Sequence, residues 1–280
     1  IVFHNGHYQK HISNLPDEIE VLSNLEYCER KDWEIQQPNK LPFDLLNTAF
    51  MDSGMSLVLK KNKNIDLSLF VIFFTSGEKS LMISPRLHID LGTNSSLSLF
   101  EHHFGVNNSH FSNISTFISL EDGSNFNHTR IQMDSNESIN IGNIHTSQGR
   151  DSKYKFSNFS IGSDLGSINI NTSLNGKGSE CHLSGLSLSK DKQHMDTHIL
   201  TRHNATDCIS TQNFKTILKD NSSGVFNGKV VVQKDAQKTD SEQSNKNLLL
   251  SENAKINSNP QLVIHADNVK CAHGSSTGEI

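Results

Sequence analysis

The stretch from Ser95 to Ser184 decides the fold, because five of its segments repeat one pattern: SSLSLF (95–100), SNFNHT (124–129), ESINIG (137–142), GSININ (166–171) and SECHLS (179–184). Each segment leaves a polar turn and then alternates apolar with polar residues, the period-two signature of a strand with one buried face. Counted from Ser96, Asn125, Ser138, Ser167 and Glu180, the entries alternate at roughly 29 and 13 residues, a loose internal repeat. No helical period of useful length intervenes, which argues against a βαβ sheet. The pattern predicts an all-β fold, with a β-solenoid ahead of a β-sandwich. The inward residues expected of such coils are Leu97, Leu99, Ile139, Ile141, Phe159, Ile161, Ile168, Ile170, Leu183, Leu186 and Leu188.

The composition agrees. Hydrophobic content is 34% and mean hydropathy is −0.47, low for a compact domain and suited to a thin core under a large polar surface. The formal charge of −5 and the absence of a basic stripe argue against nucleic-acid binding. The most basic run, Lys60, Lys61 and Lys63, reads as a hairpin turn. The longest apolar run, Leu69 to Phe74, is far short of the roughly 18 residues a membrane span needs. The chain begins at Ile1 and reads as an excerpt of a longer protein.

Four cysteines, Cys28, Cys181, Cys208 and Cys271, lack framework spacing, which suits a reducing cytosolic or organellar compartment. Asn-x-Ser/Thr triplets at Asn94, Asn107, Asn113, Asn127, Asn136, Asn158, Asn171, Asn204 and Asn221 point instead to a secreted glycoprotein. In so Asn- and Ser-rich a chain such triplets arise by chance, and several fall in strand patterns where a glycan would block pairing.

Two parts are expected: a mixed N-terminal segment, residues 1–50, and a β core, residues 51–280. The segment carries an acidic stretch from Asp17 to Glu34 with the single Trp33, and a short helix opening at Pro42 with Phe43, Leu45, Leu46 and Ala49. Cys28 reads as a packing residue. Strands are predicted at Ser56–Lys60 and Ile65–Phe74 around the basic turn, then at Leu87–Leu91, Leu97–Phe100 and Ile114–Leu120. The run Leu69 to Phe74 is apolar on both faces, as in a strand covered on both sides.

Several constellations invite a chemical reading. His102, His103 and His110 fall around HHFGVNNSH, read as a surface loop. His194, Asp196 and His198 would share one strand face, either as a three-ligand array or as a solvated surface. NGKGSEC (175–181) lacks the third Gly and the helix of a dinucleotide loop and is a turn, and no Walker or G-x-S-x-G motif occurs, so no nucleotide is expected on this chain. A carbohydrate-active or adhesive secreted β-helix remains the alternative function, although one Trp, three Tyr and no tight acidic cluster give it little substance.

The best candidate lies in GVFNGKVVVQKDAQKTDSEQSNKNLLLSENAKINSNPQLVIHADNVKCAH (224–273). A polar run, Gln237 to Asn247, separates strand patterns at Val225–Val232 and Leu248–Leu250, and a third pattern runs from Gln261 to His273. Cys271 and His273, two apart in an extended strand, project from one face while Lys270 points to the other. A thiol beside an imidazole is half of a soft-metal site. The bland alternative is a buried thiol next to a surface His, with His265 farther back on the same strand pattern.

LNGKGSECHLSGLSL, KQHMDTH, GVFNGKVVVQKDAQKTDSEQSNKNLLLS and PQLVIHADNVKCAHGSSTGEI, with FHNGH, PFDLLNTAF and RLHIDLGTNSSLSLFE, resemble the SufB/SufD scaffold family of the SUF iron–sulfur cluster assembly machinery. The resemblance covers nearly the whole chain and favours the SufD type, since Asn245 to Asn247 hold no Cys where SufB carries one. It implies a right-handed parallel β-helix flanked by helical segments, the C-terminal ones truncated here. It implies a non-enzymatic scaffold that pairs with SufB through the β-helix and binds the SufC ATPase through a C-terminal helical region. A transient iron–sulfur cluster would form at the SufB–SufD interface, with His273 as ligand and Cys271 beside it. The location implied is the bacterial cytoplasm or the plastid stroma. Asp267-Asn268 stands where the family often has two acidic residues.

Overall fold

The computed structural model describes residues 1–30, 41–51, 53–77, 80–106 and 109–280. Trp33 and the sequon residue Asn107 lie outside the described residues. The N-terminal segment contributes β1 (Val2–His4), β2 (His7–Tyr8), β3 (Ile19–Leu22), α1 (Asn24–Arg30) and α2 (Pro42–Phe50). The coils then run through β4 (Gly54–Leu59), β5 (Leu69–Ser76), β6 (Leu81–Ile83), β7 (Arg86–Leu91), β8 (Ser96–Val106), β9 (His110–Leu120), β10 (Asn125–Met133), β11 (Ile139–Gln148) and β12 (Lys153–Ser160). They continue with β13 (Leu165–Leu174), β14 (Glu180–Ser189), β15 (His194–His203), β16 (Ile209–Leu218), β17 (Ser223–Val232), β18 (Asp240–Leu249), β19 (Lys255–Ile264) and β20 (Lys270–Glu279).

Among the described residues, successive strands do not pair with each other from β4 onward. They alternate between a first sheet, β2-β1-β5-β8-β10-β12-β14-β16-β18-β20, and a second, β19-β17-β15-β13-β11-β9-β7-β4-β3, with β6 beside β9. All coil-to-coil pairs are parallel, so the chain is a parallel β-helix of two facing sheets. The solenoid expectation holds and the sandwich is set aside. Each coil contains two strands of near-equal length, which explains the alternating spacing: the longer interval is one coil and the shorter is half of one.

The corner that returns the chain to the first sheet carries a left-handed residue in coil after coil: Asn62, Asn94, Gly123, Asp151, Gly178, Asp207 and Lys238. Asn, Asp and Gly tolerate positive φ at least cost, so these corners are written in the sequence as single polar letters. Their N–H groups reach the next coil, as in Asn94 to Asp122 O at 2.9 Å and Asp207 to Gln237 O at 2.9 Å. Buried hydroxyls tie the same corners, with Ser124 Oγ donating to Glu121 O at 2.7 Å and Ser152 Oγ to Gly149 O at 2.8 Å. Cys208 occupies this hydroxyl position, its Sγ 3.4 Å from Gly176 O, and is a corner residue.

The N-terminal end is closed by structure of its own. β1 joins the first sheet parallel to β5 and carries β2 antiparallel on its outer side, and β3 is antiparallel to β4 on the second sheet. The predicted helix at Pro42 is present as α2 and packs on the outer face of the second sheet. Its buried Asn47 donates to Asn113 O at 2.8 Å and accepts from Arg86 Nε at 2.9 Å, while Asp44 accepts from Ser115 Oγ at 3.1 Å and meets His145 Nε2 at 2.9 Å.

Four expectations are corrected by this geometry. The basic run at 60–63 is a solenoid corner and not a hairpin turn, since β4 pairs with β3 and β7 and β5 with β1 and β8. In β5 only one face is buried, and Phe70 and Phe74 stack outside against Phe100 and Phe104. The inward set is right for Leu97, Leu99, Ile168, Ile170 and Leu183, which are buried, but Phe159 and Ile161 are 37% and 39% exposed on the outer face and Ile139 is 40% exposed. Strand parity decides this: Tyr154, Phe156, Asn158 and Ser160 point in, so Phe159 points out although Asn158 is polar. The histidines of HHFGVNNSH are not in a surface loop: His102 and His103 belong to β8 and His110 to β9, with His103 and His110 buried.

Candidate functional site

The site is built on the last three strands of the first sheet. β16 and β18 place Gln212 below Gln243 and Ser210 below Ser241, and β20 places His273 above Gln243 and Cys271 above Ser241. The polar run at 237–247 is therefore no loop between strands. Most of it is β18 itself, with Ser241, Gln243, Asn245 and Asn247 turned into the interior and buried. The predicted single strand from Gln261 to His273 is two strands, β19 and β20, in different sheets, and His265 sits in the corner between them.

Cys271 and His273 do share a face, the inward one. Among the described residues nothing pairs with the outer edges of β19 or β20. His273 is exposed, and Cys271 is half-buried against Val230, Val232, Ala236 and Ala266. Burial raises the Cys271 thiol and the Asp240 carboxylate raises it further, while the Ser241 backbone contact pulls it down. Lys270 lies on the other face, its Nζ 3.4 Å from Asp240 Oδ2, and does not serve the thiol. The floor is held by amides and hydroxyls: Asn247 Nδ2 donates to Asn245 Oδ1 at 2.7 Å, and Ser258 Oγ to the same oxygen at 2.8 Å.

A thiol and an imidazole supply two soft donors, and a tetrahedral metal takes four. Among the described residues no group of three or more His, Cys, Asp and Glu could hold a metal ion. His194, Asp196 and His198 do lie on one outer face of β15, with Asp196 Oδ1 2.7 Å from His194 Nε2 and Oδ2 3.9 Å from His198 Nε2. The imidazoles address different carboxylate oxygens, and the cluster reads as ion pairing at the surface. The sequons fare no better, since Asn113 is 0% and Asn158 1% exposed.

Sequence reasoning missed a buried ionic cluster inside the N-terminal coils. Glu101 contacts His103 and lies 3.0 Å from His128 Nε2 and 3.6 Å from Arg130 Nε. Arg130 also donates to Asn158 and Asn140 at 3.1 and 2.7 Å, and Asn140 reaches Asp134 at 2.9 Å. Asp134 meets His110 Nε2 at 3.2 Å. Burial pushes Glu101 upward, yet the two histidines hold it well below the usual carboxylate range. The signal was there: Glu101, His103, His128 and Arg130 stand at inward parity of β8 and β10.

Residues 73–280 match the family described as SUF system FeS cluster assembly, SufBD core domain. The chain belongs to the SufBD family. The comparisons support a SufD-type protein. It is 29% identical over 299 residues to an iron–sulfur cluster assembly SufBD family protein of Synechocystis, covering 100% of this chain and 66% of that protein. It is 28% identical over 239 residues to the iron–sulfur cluster assembly protein SufD of Escherichia coli, covering 84% of this chain and 56% of the relative. To the chloroplastic protein ABCI7 of Arabidopsis thaliana it is 26% identical over 236 residues, covering 81% and 50%. The chain thus spans about half to two thirds of the length of these relatives. Family membership does not favour the secreted carbohydrate-active or adhesive reading. Among the described residues no helix is long and apolar enough to cross a membrane.

Proposed function

We propose that this chain is a non-catalytic scaffold subunit that joins a SufB-type partner end to end and holds a nascent iron–sulfur cluster between them. The observation that carries the reading is the inward pair Cys271 and His273 on an open coil, two donors with their remaining coordination to come from across an interface. A partner strand pairing with β19 or β20 would bring its own ligands against this face. His273 supplies a neutral ring nitrogen, and Cys271 loses its proton when it binds metal. The cluster is cargo, passed on after assembly. A SufC-type ATPase would drive the cycle from outside the described residues, so no nucleotide site is needed here. Bacterial and chloroplast relatives support work in a bacterial cytoplasm or a plastid stroma.

Anaerobic co-purification with SufB and SufC, followed by iron and sulfide quantitation, tests this. His273→Ala is expected to keep the complex and lose the cluster, and Cys271→Ala to lower its yield. A full cluster complement in His273→Ala would sink the ligand assignment and leave His273 as a packing residue at the joint.

A further inference from the structure

Beneath His273 runs a directional ladder of amides. Gln212 Nε2 donates to Thr201 Oγ1 at 3.0 Å, and Gln243 Nε2 donates to Gln212 Oε1 at 2.6 Å. Gln243 gives its N–H to the amide on the coil below, the arrangement that stacks Gln side chains along a parallel sheet, while Gln212 gives its own across the interior to β15 of the facing sheet. The orientation of Gln243 is therefore settled by its donor, and Oε1 becomes the terminal acceptor of the ladder. Gln243 is 3% exposed, and Oε1 is buried with no hydrogen-bond partner. Opposite stands Gly228, where a Cβ would lie 2.2 Å from Gln243 Nε2, so the facing strand leaves room for this amide.

An unmatched buried carbonyl oxygen is costly, which favours any donor within reach. The next residue in the column is His273, directly in register with Gln243. A neutral imidazole carries one N–H and one lone pair, and whichever nitrogen keeps the proton is set by the bond it makes. We infer that Gln243 is a positioning residue: its Oε1 accepts the N–H of His273, fixes one tautomer, and turns the other nitrogen's lone pair toward the open face. This rests on the proposed ligand role of His273 and deepens it, since ligating histidines commonly depend on such a second hydrogen bond.

The test is nitrogen NMR of the 15N-histidine-labelled protein without partner or cluster, with His273 assigned by loss of its signals in His273→Gln. In wild type with the ring neutral, the two ring nitrogens are expected at the separate shifts of one tautomer. In Gln243→Met they are expected to move to the averaged positions of a free imidazole. Averaged nitrogens in wild type, or a fixed tautomer that survives Gln243→Met, would overturn the inference. Should Gln243→Met fail to fold, the wild-type spectrum alone decides. In the SufB and SufC complex, Gln243→Met is expected to weaken iron retention about 10- to 100-fold. Because the spectrum needs no cluster, a fixed tautomer alongside normal assembly by His273→Ala would remove the ligand role and leave the hydrogen bond standing.

Discussion

The two ends of the solenoid use one backbone and opposite core materials. One inward column of the first sheet reads Leu69, Leu99, His128, Phe156 and Leu183 through the earlier coils, then Gln212, Gln243 and His273. Its neighbour reads Leu97, Phe126, Tyr154 and Cys181, then Ser210, Ser241 and Cys271. The N-terminal coils bury stacked aromatic rings, Phe126 and Tyr154 at 5.8 Å, and are closed by β1 to β3. Even their charges are settled internally, with Glu101 paired to His103, His128 and Arg130, and Asp134 to His110 and two amides. The C-terminal coils carry smaller polar groups, and among the described residues Gln243 Oε1 is buried there without a partner. The difference separates where the protein stores stability from where it leaves chemistry undone.

The comparison breaks most sharply at Glu101. Glu101→Ala leaves Arg130 enclosed without its carboxylate and is expected to cost about 3–5 kcal/mol in chemical denaturation. His273→Ala, at the open end, is expected to stay within about 0.5 kcal/mol of wild type in the same assay. Equal losses at both positions would erase the distinction.

Acidification comes next. His203 is buried beside Ser210 Oγ at 2.8 Å, and burial lowers its pKa to about 4. The unfolded chain then takes up a proton first, near pH ~6.5, so the stability is complete above that pH and is lost as pH falls toward about 4. The loss is of the order of 3 kcal/mol, and His203→Gln is expected to flatten that part of a stability–pH curve. His88, lowered to about 3 by burial and then by Arg86, adds in the same direction.

Smaller effects follow on the outer faces. Asn47→Ala removes the amide that joins α2 to three carbonyls and to Arg86, and about 1–3 kcal/mol is expected, with faster amide exchange confined to α2 and its neighbours. Phe159→Ser, on the outer side of β12, is expected to cost less than about 1 kcal/mol by thermal denaturation. A core-sized loss there would mean that the parity of β12 is reversed.

Much of this was legible in the residues. The alternating pattern at Ser96, Asn125 and Glu180 predicts strands that are present, and the i, i+2 rule places Cys271 and His273 on one face. The misplacements share a cause. A period-two reading puts Phe159 and Ile161 inside and leaves Gln243 and Asn245 as a polar run, because a hydrophobicity pattern assumes that interiors are apolar. A solenoid interior relaxes that assumption: the coil above and the coil below can satisfy a polar side chain at ladder spacing, as Gln212 does for Gln243. The left-handed Asn, Asp and Gly corners mark the coils more faithfully than the apolar letters do.

By itself the sequence determined that the chain forms short strands between polar corners, and that a thiol and an imidazole stand together near residue 273. Local backbone preferences and period-two alternation act over a few residues, so a linear reading captures them. Only the tertiary structure decided that this face is the inside of a coil, that Gln243 lies beneath His273 with one oxygen unmatched, and that Glu101 and Arg130 meet in the dark of the core. Those facts depend on register between strands about one coil apart in sequence, and register is set by the packing of all the coils together.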